Sequence, residues 1–451
     1  MNQQNTKKLS LYALTWPIFI EIMLHMLMGN IDTLMLSQYS DHSVGAVGVA
    51  NQILSVVIVM FGFVAAGVSV LVAQNLGAEK PTTAGKIAVS SLSLNLIFSL
   101  SLSLLLFLFS DGILHFMNIP AELMGEASTY LNIVGGFIFV QALIMTVSAI
   151  LRSYGYTKDT MYVTILMNII NAAGNYFMIF GPFGLPVFGV EGVAYMTMIS
   201  RFVGFIILLV ILLWRNGKHL PLTSLYKYEK NHIKDLLRIG LPSAGEELSY
   251  NASQMVITIF IAQMGTLFIT TRVYVENSML FLMLFSIAIG QGTQILIGHM
   301  MGAGQIEEAY KRGVKSLKIA IVISTLAAIL FYFTGSTLLE FFTDDLTIIE
   351  MGMTLLLVTI ILEPGRAFNL VLINSLRAAG DVQFPVVVGI ISMWGISVTF
   401  AWFFGIYLEL GLLGVWIGYI ADEWLRGILM WRRWKSRVWT RNVFIRDEQN
   451  E

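Results

Sequence analysis

The sequence predicts an all-α membrane protein: twelve transmembrane helices in two pseudo-symmetric six-helix lobes, a parallel repeat offset by about 225 residues. Three observations predict it. The chain is too apolar to face water, its apolar stretches have membrane length, and its halves match each other in one register.

Of 451 residues, 56% are hydrophobic and only 12% charged, with a mean hydropathy of +0.76, a balance that no water-exposed globule of this size carries. Apolar stretches of roughly 20 residues, the length that crosses about 30 Å of hydrocarbon, recur along the chain between short charged loops. They span 11–38, 46–76, 87–110, 126–151, 160–181, 189–214, 236–264, 268–300, 313–334, 347–376, 385–406 and 411–431. Helices are required, because an open strand edge in lipid leaves backbone groups unpaired. The stretches are also too long and too uniformly apolar for the alternating strands of an outer-membrane barrel.

Net charge is −1, so no basic surface points to nucleic acid. The distribution says more. With the N-terminus inside, 23 of the 27 Lys and Arg fall in termini and inner loops, among them Lys7, Lys8, Lys80, Lys86, Arg152, Lys158, the run Arg215 to Arg238, Lys311 to Lys318, Arg377 and the tail Arg432 to Arg446. Outer loops carry only acids such as Asp41, Asp111, Glu340, Asp344, Asp345 and Glu409. The positive-inside rule then places both termini in the cytoplasm. Arg201, Arg272, Arg366 and Arg426 fall within spans. Cysteine is absent, so disulfides and thiolate metal sites are excluded. No small-residue cleavage site follows Lys7-Lys8, so the first span is expected to be retained.

A shift of 225 residues lays Pro17 on Pro242, Glu21 on Glu246, Gln38 on Gln263, Gly67 on Gly292, Gly77-Ala78 on Gly302-Ala303, Leu151-Arg152 on Leu376-Arg377 and Gly155 on Gly380. After a small slip, Gly189, Gly192 and Val193 meet Gly411, Gly414 and Val415. Chance likeness of apolar helices would match Leu and Ile, not Pro, Gly, Gln, Arg and Glu. An even number of spans per half gives both copies the same orientation, the parallel-repeat plan of secondary transporters. The expected organisation is an N-lobe over 1–214, a linker over 215–235, a C-lobe over 236–437 and a tail over 438–451. Transport by rocking of the two lobes is expected from that plan. Without a G-x-x-x-x-G-K-[ST] loop or a soluble domain to bind nucleotide, energy must come from an ion gradient or membrane potential, worth about 2.3 kcal/mol per charge per 100 mV.

Polar residues inside spans mark candidate sites. Glu21, His25 and Asp32 share one face of the first span, by the four- and seven-residue helical spacing. An ionised Asp in a span costs about 2.5–3.5 kcal/mol, so such a residue usually lines an ion path. Asn168, Asn171 and Asn175 in the fifth span add neutral oxygens that suit a hard cation together with one carboxylate; structural ties between helices are the other reading. Ile257 stands where the repeat would place a partner for Asp32. The second half instead has Glu246-Glu247 near Pro242, Arg272 with Glu276 one turn later, and Glu363-Pro364-Gly365-Arg366. These either pair into a static network or let Glu246 or Glu363 take substrate or a proton. Gln52 joins the pathway candidates. Plentiful Met, Phe, Tyr and Trp would furnish a polarizable cavity, although most must face lipid.

In several pieces the chain resembles the multidrug and toxic compound extrusion (MATE) family, in its bacterial DinF-like branch. They are Asp32-Thr33-Leu34-Met35-Leu36, Gln74-Asn75-Leu76-Gly77-Ala78, Gly298 to Gly304, Leu151-Arg152-Ser153-Tyr154-Gly155 with Leu376-Arg377-Ala378-Ala379-Gly380, Ile179-Phe180-Gly181, and Gly189 to Ser200. The resemblance covers essentially the whole chain. It implies two six-helix lobes forming a V, and export of amphipathic, commonly cationic, small molecules in exchange for Na⁺ or H⁺. Carried over by motif, the family's cation site is Asp32, Asn171, Asn175 and Thr197, with Na⁺ as one possible occupant. Asn175 replaces a carboxylate of many members, and Arg366 replaces an acid that some members use in the C-lobe. No cofactor, nucleotide or nucleic acid is expected. The expected setting is a bacterial inner membrane, with the chain acting as a monomer. A lipid-linked oligosaccharide flippase of the same superfamily is the alternative, with Arg272 and Arg366 holding a pyrophosphate. Nothing points to a membrane enzyme, since no intramembrane His-x-x-x-His or paired catalytic Asp motif is present.

Overall fold

The computed structural model describes residues 9–184, 186–221, 224 and 229–445, and every regular element among them is helical. Lys7, Lys8 and Arg446, part of the expected linker and the end of the expected tail lie outside the described residues. In chain order the helices are α1 Leu11–Ser37, α2 Asp41–Gly77, α3 Pro81–Phe116, α4 Ala121–Tyr130, α5 Phe139–Ser153, α6 Thr157–Phe180, α7 Gly189–Asn216 and α8 Lys230–Met264. They continue with α9 Thr266–Gly302, α10 Ile306–Phe333, α11 Gly335–Glu340, α12 Leu346–Ala378, α13 Gln383–Ser392, α14 Thr399–Trp402 and α15 Gly411–Ser436.

Nine helices among the described residues are long and apolar enough to cross a membrane, and a tenth span is the bent pair of α4 and α5, which meet at 43°. That break follows a π-helical turn over Leu131–Gly135, where one extra residue per turn interrupts the regular ladder. The eleventh expected span, α13 with α14, holds two π-helical stretches, Met393–Val398 and Phe403–Tyr407. The two spans outside the apolar count, α8 and α15, are the ones loaded with ionisable residues, including Glu246, Asp422, Glu423 and Arg426, all buried. With them the chain has the all-α, twelve-span, two-lobed fold that the sequence predicts.

Two compact units result. One comprises Ile20–Leu76 and Lys80–Gly240; the other comprises residues up to Phe19, Gly77–Glu79 and Leu241 onward. Their bounds fall inside α1 and α8. Within the first unit, Gly67 lies against Leu236 and Gly240 against the backbone of Phe63. Within the second, Gly292 lies against Thr15, and Phe19 stacks on Phe285 with ring centroids 4.5 Å apart. Small residues let these helix backbones approach, the usual basis of packing where lipid provides no hydrophobic drive.

The repeat survives as geometry. Gly155 and Gly380 both follow a long helix at positive φ, 87° and 92°, a conformation that costs other residues a Cβ clash. Each closes its turn the same way: Gly155 N–H donates to Arg152 O and Gly380 N–H to Arg377 O, both at 2.9 Å. The second unit adds an anchor for the start of the tail. Trp434 and Trp439 stack with centroids 4.1 Å apart, both fully buried.

Gly380→Ala should therefore lower stability by about 1–2 kcal/mol from backbone strain alone, and by more because a Cβ there meets the carbonyl of Asn442. Gly125→Ala, whose Cβ would meet nothing within 4 Å, should be neutral or slightly stabilising. Thermal unfolding of both variants in detergent checks this; equal melting temperatures would contradict it.

Candidate functional site

In the first unit, α6 and α7 are keyed together by glycine against methionine in both directions: Gly174 faces Met196, and Gly204 faces Met167. That close fit brings the polar stripe of α6 to Thr197 of α7. Asn171 Nδ2 donates to Thr197 Oγ1 at 3.3 Å, and Asn175 Nδ2 donates to Asn171 Oδ1 at 3.4 Å. From α1, Asp32 Oδ1 accepts from Asn175 Nδ2 at 2.5 Å. All four side chains are 4% exposed or less. The residues that the resemblance assigned to one site are thus one hydrogen-bonded cluster.

Eleven residues earlier, about 16 Å along the axis of α1 at 1.5 Å per residue, Glu21 is buried in its own polar pocket. Its Oε2 accepts from Thr160 Oγ1 at 2.7 Å, and its Oε1 lies 3.8 Å from Arg152 Nη1. His25 stands between the two acids and has Glu21, Arg201 and Arg152 as its charged neighbours. Arg201 follows Thr197 by one turn of α7, and its electrostatic neighbours are Tyr130 and Asp32. Its Nε is buried with no hydrogen-bond partner among the described residues. The inner face of α1 therefore meets a guanidinium near each acid.

The second unit copies the lower pocket and discards the upper one. Glu246 and Arg377, the repeat partners of Glu21 and Arg152, form an ion pair at 2.5 Å. Ile257, opposite Asp32 in the repeat, is a fully buried core residue. Charge appears elsewhere. Arg272 is bound on every side: Nε to Glu276 Oε1 at 2.6 Å, Nη1 to Thr258 Oγ1 at 2.5 Å, and Nη2 to Gln254 Oε1 at 3.2 Å and the Tyr419 hydroxyl at 3.4 Å. Deeper, Arg366 pairs with Glu363 at 2.5 Å and with Glu423 at 3.8 Å. Glu247, in contrast, is exposed.

A MatE family model matches the chain twice, over residues 17–177 and 242–403. The chain belongs to the MatE family. Its two matches begin 225 residues apart, the offset read from the sequence. YisQ, an uncharacterized transporter of Bacillus subtilis, is 53% identical over 433 residues, covering 96% of this MatE chain and 95% of that protein. A probable multidrug resistance protein NorM of Thermotoga maritima is 29% identical over 442 residues, covering 97% and 94%. Among solved structures, an outward-facing multidrug resistance MATE transporter superposes with a TM-score of 0.87 at 21% identity, covering 96% of this chain and 98% of that one. A MATE protein in its bent conformation superposes with a TM-score of 0.88 at 22% identity, with the same coverage. At these identities the structures establish the fold alone. MatE proteins are membrane transporters rather than enzymes.

Not every candidate gathers at the site of this MatE protein. Gln52 is exposed on α2. Its neighbour Asn51 shares a hydrogen bond with Tyr130, which also bonds Thr197. Tyr130, Asn51 and Arg201 are additions to the sequence-derived set. Arg201 had a legible mark, since it is a full charge within an apolar span. Tyr130 had none, because one Tyr among 16 carries no weight before the π-helical break at Leu131 is known.

The repeated ion pair offers a stability test. Glu246→Gln leaves Arg377 half-buried without its counter-charge and should cost about 3 kcal/mol, whereas Glu246→Gln/Arg377→Gln should recover most of that loss. Melting temperatures of the two single variants and the double in detergent check the cycle; additive losses would mean that the pair is not coupled.

Proposed function

We propose that the protein is an ion-coupled exporter of small amphipathic, often cationic, molecules that works by alternating access, as a monomer in the bacterial plasma membrane with both termini cytoplasmic. The observation that carries the coupling step is Asp32, buried in the hydrogen-bonded cluster of Asn171, Asn175 and Thr197. A carboxylate at such a depth is costly unless its charge is compensated. An ion that binds it in one conformation and leaves it in another converts a gradient into a population shift, provided that its affinity differs between the two.

Proton coupling fits this site better than Na⁺. Asn175 turns its amide nitrogen toward Asp32, while its Oδ1 is buried without a partner, so the amide competes with a metal for the carboxylate. Arg201 also faces Asp32, and a Na⁺ there would meet a resident positive charge. A proton needs neither added ligands nor space. Protonation of Asp32 would leave the Arg201 charge uncompensated, which repels a cationic cargo at the moment of release. His25 and Glu21, on the same face of α1, offer the proton stations toward the opposite membrane surface.

Relatives named as probable multidrug resistance proteins support the choice of cargo. The flippase alternative is disfavoured because its pyrophosphate ligands, Arg272 and Arg366, are already bound to Glu276 and Glu363. Efflux of a fluorescent lipophilic cation from proteoliposomes, with pH and Na⁺ gradients imposed separately, tests the reading. The pH gradient alone should drive export, and Asp32→Asn should abolish it with insertion intact. Export driven by Na⁺ alone, or normal export by Asp32→Asn, would contradict it.

A further inference from the structure

Two faces of α10 differ in kind. The packed face is built of small residues, with Ala309, Gly313, Ala320, Ser324 and Ala328 buried and Gly313 against the Trp434 ring. The opposite face is exposed along the whole helix. From the C-terminal end it runs Phe333, Leu330, Leu326 and Val322, the exposed apolar side chains of a membrane span. Lys318, Lys315 and Lys311 then continue it, all three exposed. Steps of three and four residues keep the series on one side of a helix, so the surface that meets lipid turns from apolar to basic without a break.

Lys318 stands about 22 Å from the end of α10 at Phe333, by the helical rise per residue, which is short of the about 30 Å of hydrocarbon. Its backbone therefore lies at the edge of the apolar layer, and its stem must carry the ammonium out to the headgroups. A cation so placed on the lipid side calls for an anion. The protein supplies little: Glu307 is bound by Arg437 at 2.6 Å, and Glu308 reaches only Lys311, at 3.4 Å. Lys315 and Lys318 have no ion pair among the described residues. The first unit is built otherwise. The repeat places Lys86, Ser90 and Ser93 at these three positions; Ser90 and Ser93 are buried, and Lys86 pairs with Glu229 at 3.0 Å. The chain that follows α7 also crosses that helix, with the His219 carbonyl against Gly85. One copy thus closes this surface with protein, and the other leaves it open and makes it basic.

We propose that Lys311, Lys315 and Lys318 form a headgroup site for an anionic glycerophospholipid, whose acyl chains lie along Val322, Leu326 and Leu330. Continuity with the apolar stripe makes a lipid the fitting occupant, because only a lipid presents an anion and a hydrocarbon tail in that order along one helix face. A phosphate diester without a balancing ammonium satisfies the lysines; a zwitterionic headgroup brings its own cation. Three like charges on successive turns repel one another, so the bound lipid also steadies the end of α10 that packs on Trp434. That the leaflet is the inner one rests on the cytoplasmic termini proposed above; the site itself does not.

The test counts bound lipid. Full-length protein in detergent is titrated with phosphatidylglycerol or phosphatidylcholine, and its complexes are resolved by native mass spectrometry. Wild type should bind phosphatidylglycerol in preference to phosphatidylcholine, and affinity should fall about five-fold for each lysine replaced in the series ending at Lys311→Gln/Lys315→Gln/Lys318→Gln. Arg432→Gln/Lys435→Gln/Arg441→Gln removes the same charge from α15 and the chain after it, and should keep the wild-type preference. Equal binding of the two lipids by wild type would overturn the proposal, and so would an equal loss in both triple variants, which would mean diffuse attraction without a site. Carbodiimide cross-links from Lys315 or Lys318 to Asp447 or Glu448 would give the face to the chain's own acidic end, and a dimer abolished by the lysine variant would give it to a second copy; either result contradicts a lipid site. These readings need no transport, so they stand or fall apart from the export reading, which the gradient experiment tests.

Discussion

The constraint on which this structure depends is the price of an uncovered charge in hydrocarbon. Water cannot solvate a carboxylate or guanidinium within a span, so each such group must find its counterpart in protein or bind an ion. Glu21 with Arg152, Glu246 with Arg377, Arg272 with Glu276 and Arg426 with Asp422 are four solutions of the first kind. Asp32, facing Arg201 and bonded to neutral Asn175, is a fifth.

Duplication gave both halves the same scaffold, and the two then diverged in their charges. The Glu-Arg pair and the positive-φ glycine after it persist in both copies. The carboxylate site persists in one: Ile257 fills the place of Asp32 with core. In the frame that lays Gly189 on Gly411, Arg201 falls on Glu423, so one copy places a cation where the other places an anion. The first unit thereby comes near neutrality, and the second is left with an excess of acid.

Much of this was legible in the sequence, because membrane burial writes itself into composition. Span number, the 225-residue repeat and the membership of the Asp32 cluster followed from apolar length, from matches at Pro, Gly, Glu and Arg, and from family motifs. Local geometry was less legible. The π-helical turn at Leu131–Gly135 and the two in the eleventh span leave no trace in an apolar run, since one extra residue per turn changes facing without changing hydropathy. The same cause hid Tyr130, which immediately precedes the first of these turns. Arg426 was legible as a charge within the last span, but its pairing with Asp422 and Glu423 on the same helix appears only in the structure.

Proton release on binding is the most direct probe of coupling at Asp32. Purified protein in weakly buffered detergent solution is mixed with a lipophilic cation and followed with a pH indicator. Release of about one proton per cation bound is expected near neutral pH, and its loss in Asp32→Asn. Binding without proton release in the wild-type protein would contradict proton exchange at that carboxylate.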